Sequence, residues 1–343
     1  MDGGDRLLSD GSHSRLPLVY AINYDIYVLK ICYSYFVTNE EGSVDTSWWN
    51  NNGSVPAYID FTNPEAAEWW SSRVRALSET YGIDSFKFDA GESSWSPQIP
   101  VQDGDINLHP GHIVQSYVRT CAEFGPMIEI RSGMRTQDLP VFVRMVDKDT
   151  FWGFNNGLAT LITTLLQMNL NGYTLVLPDM IGGNGYTGED LVGREPPIKE
   201  LFIRWLQANT FMPSLQYSFV PWDYDSETIE ICKKYTQLHA DYADDIVRAI
   251  EASMEKGTPV NAPIWWIDPT DEVALATWDE YLLGEKILVA PVVEEGATAR
   301  NVYLPQGTWV DAATSEVYTG PVWLEDYPAP LDTLPYFFLE DSK

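Results

Sequence analysis

The sequence predicts an α/β protein with a parallel sheet, followed by a small antiparallel β domain. Over residues 58–270, short apolar strands alternate with longer helical segments, which is the pattern of a parallel sheet. After about residue 270, short strands follow one another and are separated by turns that contain Gly and Pro. From this pattern alone, the parallel sheet is either a closed barrel or an open, doubly wound sheet.

Composition excludes several classes of protein. The 343 residues carry 50 acidic and 21 basic side chains, a formal net charge of −29. This charge repels phosphate backbones and argues against nucleic-acid binding. Hydrophobic residues make up 45% of the chain, which is enough for a large core and excludes a disordered protein. Three Cys and four scattered His indicate neither a disulfide framework nor a zinc site, and we expect no metal or other cofactor. We expect Cys32, Cys121 and Cys232 to be buried thiols.

The N-terminal segment, residues 1–32, is poorly defined by its sequence. Its apolar stretch is interrupted by Asp25 and Lys30 and lacks the basic start and cleavage site of a signal peptide, so we expect no membrane span here. A barrel strand within Leu16–Val28 is the favoured interpretation. The sequon at Asn52 is an acceptor for glycosylation only if the chain enters the secretory pathway.

Helix and strand signals divide the rest of the chain. Asn63 and Pro64 are typical of a helix start, and Gly82 of its end. Further helices are predicted at 113–124, 158–172 and 197–211. Barrel-type strands are predicted near Tyr58 and at 83–89, 127–131, 141–146, 174–179 and 212–217. The strands of the second region are predicted at 287–293, 300–305 and 335–339.

Several strands of the first region end in charged residues. Lys87 and Asp89 alternate with Phe86 and Phe88, so period-2 geometry points both charged side chains the same way. An inward Lys and Asp in a barrel are paired or functional, and an inward Arg131 requires an anion. The simpler reading is that each strand-end Asp is a turn or cap residue.

A ring of carboxylates with one Arg at the strand ends is typical of a glycosidase. The reaction needs one carboxylate as nucleophile or base and another to protonate the leaving oxygen. Four aromatic residues in predicted loops beside the strand ends offer faces for sugar rings: Trp48, Trp49, Trp95 and Trp152.

Longer runs of sequence resemble one family. The runs IDFTNPEAAEWW, GIDSFKFDAGE, EIRSG, NGYTLVLPDMIGGNGY and LLGEKILVAPVVEEG resemble glycoside hydrolase family 31, which contains α-glucosidases and α-xylosidases. The pair KFDAGE and LPDMIGGN looks most like the myogenesis-regulating glycosidase branch of that family. The resemblance spans about residues 33–340. It implies a (β/α)8 TIM-type barrel over 33–268, incomplete at its first strands, and a β-sandwich domain over 269–343.

The resemblance also implies a retaining mechanism with two Asp residues. Asp89 matches the nucleophile. Asp147 matches the acid/base, because it follows Arg131 by the family's sixteen residues, and Asp149 is the alternative. Arg131 matches an Arg that contacts the sugar and the carboxylates. We therefore expect cations beside Asp89, and a partly buried, less compensated site that keeps Asp147 protonated.

The same resemblance suggests further substrate-binding residues. Lys87 matches a Lys found two residues before the nucleophile, and we expect it, with Arg131, to hold Asp89 ionised. Asp179 matches an Asp that shapes the innermost sugar subsite. Trp48 and Trp49 are candidate sugar contacts. The implied partner is an oligosaccharide or glycoside, and the family suggests the secretory pathway.

Two departures from the family matter. Glucosidase-type members carry Trp where this chain has Arg144, and His where it has Ser218. Both positions touch sugar hydroxyls in those members, so a glucose-specific pocket is not expected here. The resemblance to the branch implies an α-galactoside or another α-linked sugar instead. The second departure is length, since the family's N-terminal β-sandwich and first barrel strands are expected to be missing.

Two alternatives to an active glycosidase remain. The first is a catalytically inactive homologue that binds carbohydrate or a protein. The second is an unrelated doubly wound protein, which ranks lower because no Gly-rich phosphate loop follows any predicted strand.

Overall fold

The computed structural model describes residues 35–48, 56–186 and 195–340. The predictions made for Leu16–Val28, Cys32, Trp49 and Asn52 lie outside these ranges. The chain divides into two compact units, with the boundary between Val141 and Phe142.

In the first unit, helix α1 (Pro64–Tyr81) confirms the predicted start and end. The Asn63 side chain accepts hydrogen bonds from the backbone amides of Glu65 and Ala66, which the helix itself leaves unpaired. Gly82 ends the helix in the left-handed conformation, with φ of 63°.

The strands of this unit are shorter than predicted. Strand β1 (Lys87–Phe88) pairs in parallel with β2 (Glu129–Ile130), and helix α2 (Gly111–Ala122) lies between them in sequence. The strand predicted near Tyr58 is reduced to isolated bridges such as Phe36 with Ile59.

An aromatic cluster fills the core of the first unit. The Trp70 ring lies 5.4 Å from that of Phe88 and 5.3 Å from that of Phe61. Phe61 also packs against Tyr117 of α2, at 5.0 Å between ring centroids. Tilted and edge-to-face contacts of this kind join α1, β1 and α2.

The second unit begins with another parallel pair. Strand β3 (Phe142–Arg144) pairs with β4 (Val176–Leu177), and helix α3 (Leu158–Leu170) connects them. The remaining long helices are α4 (Lys199–Asn209), α5 (Ser226–Asp241) and α6 (Ala243–Lys256). Leu161, Trp205 and Phe211 are among the side chains of its core that are wholly buried.

One prediction about the barrel needs correction. No strand forms at 212–217. Pro213 has no amide hydrogen to donate to a ladder, and the Gln216 carbonyl accepts a hydrogen bond from the Ile181 amide at 2.9 Å. The described residues do not close a barrel of eight strands, in line with the incomplete barrel predicted from the sequence. They do contain the expected parallel ladders, β1 with β2 and β3 with β4.

The C-terminal part forms a six-stranded antiparallel sheet, and the described strands give this one sheet rather than the two layers of the predicted sandwich. Its order is β5-β6-β7-β10-β8-β9. The strands are β5 (Asn261–Ala262), β6 (Tyr281–Leu283), β7 (Ile287–Val289), β8 (Ala299–Asp311), β9 (Val317–Pro328) and β10 (Tyr336–Leu339), and helix α7 (Glu272–Ala276) lies between β5 and β6. Strand β8 continues beyond the predicted 300–305. Its register with β9 shifts between Leu304 and Gly307, and this irregularity interrupts the alternation on which the predicted end was based.

Glu280 is a fully buried carboxyl group beside this sheet. Its Oε1 accepts hydrogen bonds from Arg300 Nη2 at 3.1 Å and from the Tyr303 amide at 2.9 Å. Burial outweighs these contacts and raises the pKa of Glu280 to about 8.

Glu280 gives the sheet a predicted pH dependence. Between its ordinary pKa of 4.5 and about 8, the folded chain keeps a proton that the unfolded chain releases, so stability falls as pH rises. We expect Glu280→Gln to flatten this part of the stability profile, measured as the urea midpoint at pH 5 and pH 8. Glu285→Gln, at an exposed position, is the control and should leave the profile unchanged. Equal pH dependence in all three proteins would contradict the prediction.

Other features concern membranes, thiols and metals. Across the described residues, no helix combines the length and the hydropathy needed to cross a bilayer. Cys121 and Cys232 are buried free thiols, as predicted, and burial raises the pKa of both. Within the same residues, no His, Cys, Asp and Glu side chains group as metal ligands.

Candidate active site

Charged side chains alternate with buried ones along β1 and β2. Lys87 lies opposite Glu129 in the parallel ladder, and Phe88 opposite Ile130. Lys87 Nζ lies 2.8 Å from Glu129 Oε1. Phe88 and Ile130 are buried on the other face. Lys87 therefore forms an ion pair across the ladder with Glu129, and not with Asp89 of its own strand end.

Arg131 joins two carboxylates at the carboxyl end of this ladder. Its Nη1 lies 3.1 Å from Asp89 Oδ1, and its Nη2 lies 2.7 Å from Glu92 Oε1. The Arg131 side chain is 11% exposed, whereas Asp89 is 33% exposed. The guanidinium stabilises the ionised form of a carboxylate that remains open to a ligand.

The turn after Asp89 has an unusual backbone. Ala90 and Gly91 both have positive φ, 60° and 88°. Tyr117 Oη donates to the Asp89 carbonyl at 2.8 Å, and Tyr58 Oη donates to the Gly91 carbonyl at 3.0 Å. These two phenols fix the peptide units on either side of the turn and hence the direction of the Asp89 side chain.

Gly91→Ala is predicted to disrupt this turn. A Cβ at Gly91 would lie 2.2 Å from the Tyr117 ring, in a backbone conformation that L residues rarely adopt. We expect a loss of at least about 2 kcal/mol in the free energy of unfolding, because strain and a steric clash add. Urea denaturation of the parent and the variant measures it. Gly125→Ala, at a positive φ with open space around it, separates the clash from the backbone strain. Equal losses in the two variants would contradict the clash.

The structure describes some of the tryptophans that were predicted to contact sugar. Trp95 Nε1 donates to Glu92 Oε1 at 3.3 Å, and the Trp48 ring meets that of Trp95 at 4.8 Å, edge to face. Trp48 is 8% exposed, so its role as a sugar contact remains a prediction. Trp49 lies outside the described residues.

In the second unit, a buried Arg joins another two carboxylates. Arg144 ends β3, and its side chain is 2% exposed. Its Nη2 donates to Asp147 Oδ1 at 3.0 Å, and its Nη1 to Asp179 Oδ1 at 2.5 Å. Asp147 is therefore paired with a guanidinium, although a less compensated site was expected for it. The one positive charge is shared by two carboxylates, which compensates each only in part.

Asp179 is wholly buried among protein donors. Its Oδ2 accepts from the Lys148 amide and from Asn184 Nδ2, each at 2.7 Å. It has a positive φ of 68°, uncommon for a residue other than Gly. Burial raises the pKa of its carboxyl group, and Arg144 opposes that effect. In this arrangement Asp179 holds Arg144 and the backbone at Lys148, while direct contact with a sugar remains a prediction.

The loop that carries Asp147 is fixed at its backbone. The Asp147 carbonyl accepts from Asn156 Nδ2 at 2.7 Å, and the Asp149 amide donates to the Asn156 carbonyl at 3.1 Å. Lys148 points away, with Nζ 3.0 Å from the hydroxyls of Thr160 and Thr164. Burial raises the pKa of Asp149, and it lowers that of Lys148 to about 8.

Four residues near these carboxylates were not predicted as site residues: Glu92, Glu129, Asn156 and Asn184. Glu129 could have been found, because it precedes Arg131 by two residues, as Lys87 precedes Asp89. No comparable period identifies the other three, whose contacts depend on loop folding.

Comparisons with known proteins identify the family. A model of the glycosyl hydrolase family 31 TIM-barrel domain matches residues 13–246, and a model of that family's C-terminal domain matches residues 257–342. The chain belongs to glycosyl hydrolase family 31. The resemblance seen in the sequence motifs is thereby confirmed, and the antiparallel sheet lies in the C-terminal domain.

Two curated proteins are similar over most of this chain. The myogenesis-regulating glycosidase of Mus musculus is 39% identical over 299 residues, which cover 84% of this chain and 40% of that protein. The SITS-binding protein of Tetronarce californica is 29% identical over 85% of this chain and 41% of its own length. The chain spans about two fifths of the length of these curated relatives.

Solved structures agree on the fold. A family 31 sulfoquinovosidase from E. rectale, bound to an aza-sugar inhibitor, matches with a TM-score of 0.75 and 26% identity over 93% of this chain and 49% of its own. A dextranase from Flavobacterium johnsoniae, complexed with glucose, matches with a TM-score of 0.80 and 24% identity, over 93% of this chain and 42% of its own.

Proposed function

We propose that this chain is the catalytic part of a retaining α-glycosidase that removes an α-linked sugar from the non-reducing end of its substrate. The observation that carries the proposal is Arg131, which holds Asp89 as an accessible carboxylate at the end of a parallel strand. Membership in family 31 supports it, because the sequence motifs of this chain align Asp89 with the family's nucleophile.

The proposed reaction has two steps. The Asp89 carboxylate attacks the anomeric carbon from the face opposite the leaving group, while Asp147 gives its proton to the departing glycosidic oxygen. The bond to the aglycone breaks, and a covalent glycosyl ester to Asp89 forms. Water, deprotonated by Asp147, then attacks the same carbon and releases Asp89. Two inversions give net retention of configuration.

The proposed substrate is an α-galactoside, with an α-glucoside as the second choice. Arg144 and Ser218 stand where glucosidase-type relatives carry Trp and His, so the glucose-binding contacts of those relatives are absent from these two positions. Similarity to the myogenesis-regulating glycosidase exceeds similarity to an α-glucosidase of Bacillus thermoamyloliquefaciens, 39% against 27% identity.

A direct assay tests the proposal. The purified chain should release nitrophenol from 4-nitrophenyl α-galactoside faster than from the α-glucoside, and not from the β-galactoside. Release from the β-galactoside instead would overturn the assignment of an α-glycosidase.

The acid/base assignment gives a separate prediction. Asp147→Asn should slow the hydrolysis of a galactoside with a poor leaving group by about 10²–10⁴-fold, because no proton reaches the departing oxygen. An aryl galactoside with a very good leaving group should be attacked at nearly the parent rate. Azide should then restore turnover of that substrate, since it needs no general base. Asp149→Asn is the matched control in the same loop, and a reversed result would assign the role to Asp149, whose pKa burial raises.

A second candidate function is an inactive homologue that binds carbohydrate or a protein. The observation that favours it is that the described residues do not close an eight-stranded barrel. Saturable binding of a galactoside without release of product, in the parent chain, would favour this candidate over the enzyme.

A further inference from the structure

A cavity of about 530 Å³ lies beside the antiparallel sheet, within the second unit. Its volume falls in the range of small-molecule sites, about 300–1,000 Å³. None of the site residues discussed above lines it. Its lining includes two tryptophans, Trp278 and Trp323, and six polar residues: Thr277, Asp279, Glu294, Arg300, Asn301 and Asp326.

The tryptophans are placed to present aromatic surface. Trp323 lies on β9 and is 47% exposed, which is unusual for so large an apolar side chain. Its ring is supported by Tyr303 of β8, at 5.0 Å between centroids. Trp278 is half-buried and supported by Phe154, at 4.5 Å. Supported indole faces of this kind are rigid platforms for an apolar ring face.

Among the described residues that line the cavity, Arg300 is the only cation, and its donors are already bonded within the protein. Arg300 Nη2 contacts Asp279 Oδ2 at 3.0 Å and Glu280 Oε1 at 3.1 Å. Its Nε donates to the Asn301 carbonyl at 2.9 Å, and its Nη1 to the carbonyl of Pro291. The guanidinium therefore has few donors left for a phosphate or carboxylate ligand.

The other polar side chains that line the cavity can form hydrogen bonds with the hydroxyl groups of a ligand. Glu294 and Asp326 are exposed carboxylates, which accept hydrogen bonds. Asn301 Oδ1 accepts from the Asp326 amide at 2.9 Å, which orients the side-chain NH2 group as a donor. Aromatic faces together with several acceptors and an amide donor match a sugar ring, which has apolar faces and a rim of hydroxyls.

We propose that this cavity is a second carbohydrate-binding site, specific for a neutral oligosaccharide and separate from the hydrolytic site. It holds a glycan chain by stacking on Trp323 and Trp278 and by hydrogen bonds to Asp326 and Asn301. Hydrolysis does not require it.

Indole NMR tests this site directly. The full chain carrying Asp89→Asn, labelled with ¹⁵N at its 13 tryptophan indoles, is titrated with maltotetraose and with raffinose. The indole resonances of Trp323 and Trp278 should shift saturably at millimolar sugar, equally in low and high salt. Trp222, which is 72% exposed and does not line the cavity, should not move.

Two variants check the contacts. Trp323→Ala should weaken binding by about two- to tenfold, read at the Trp278 indole, because the variant removes one aromatic contact. Asp326→Asn should also weaken binding, because it replaces the carboxylate acceptor by an amide. The backbone should be unaffected, since Asn, like Asp, tolerates the local φ of 49°. Spectra that otherwise match the parent confirm that both variants are folded.

Three outcomes would overturn the proposal: no saturable shift at either indole, equal shifts at Trp222, or a response to spermidine in place of the sugars. The readout does not depend on turnover. A parent chain that hydrolyses glycosides can fail this test, and one that does not can pass it.

Discussion

Asp89→Asn is expected to abolish hydrolysis, with kcat/KM lowered by about 10³-fold or more, because the amide is a poor nucleophile and no glycosyl ester forms. The fold should be unaffected, since the side chain is one-third exposed and Asn can still accept a hydrogen bond from Arg131. The measurement is steady-state release of nitrophenol from 4-nitrophenyl α-galactoside, with urea denaturation as the check on folding.

Asp84→Asn is the matched control for this prediction. It makes the same chemical change at an exposed position five residues earlier in the run IDSFKFD and should keep full activity. An Asp89→Asn protein that retains activity within tenfold of the parent would show that Asp89 is not the nucleophile.

Arg144→Met is expected to have the largest effect on stability. It leaves Asp179 buried without its guanidinium, and removal of one partner of a buried ion pair costs about 3–5 kcal/mol. The loss should be smaller at pH 4 than at pH 7, because Asp179, whose pKa burial already raises, can then take up a proton. Urea denaturation at the two pH values measures it.

A double variant identifies the cause of that loss. Arg144→Met with Asp179→Asn should recover more than half of the lost stability, because no unpaired buried charge remains. It should not recover activity, since Asp147 still lacks the side chain that orients it. A single variant destabilised by less than about 1 kcal/mol would contradict the role given to Arg144.

Much of the fold followed from local signals. The cap residues Asn63 and Gly82 define a helix by their own backbone and side-chain chemistry, and the structure has that helix at the predicted residues. The alternation around Phe88 placed Lys87 and Phe88 on opposite faces, and in the structure Lys87 pairs with Glu129 while Phe88 is buried. Such features depend only on neighbours in the sequence.

Other features depend on residues far apart in the chain and could not be predicted. Arg144 donates to Asp147 and to Asp179, which lies 35 residues later, and its predicted contact with sugar stays a prediction. Arg204 lies in α4, and no sequence pattern indicated its contacts. It is buried because carbonyls more than 90 residues away, among them those of Ala297 and Ala329, accept its donors.

Candidate site residues were recognised through family motifs rather than through periodicity. Arg131 next to Asp89 is the arrangement that those motifs suggested. Glu92 was missed as a site residue because its contact to Arg131 forms only once the turn at Ala90 and Gly91 adopts positive φ. The roles of Asp89, Asp147, Lys87 and Asp179 in binding or catalysis remain predictions for the variants described above.

The stereochemistry of the first product tests the central claim most directly. An α-galactoside is hydrolysed by the purified chain, and the anomeric protons of the released galactose are followed by NMR before mutarotation. A retaining mechanism with Asp89 as nucleophile predicts that the α-anomer appears first and the β-anomer only later, by mutarotation. Initial release of the β-anomer would mean direct displacement by water and would contradict the covalent role of Asp89.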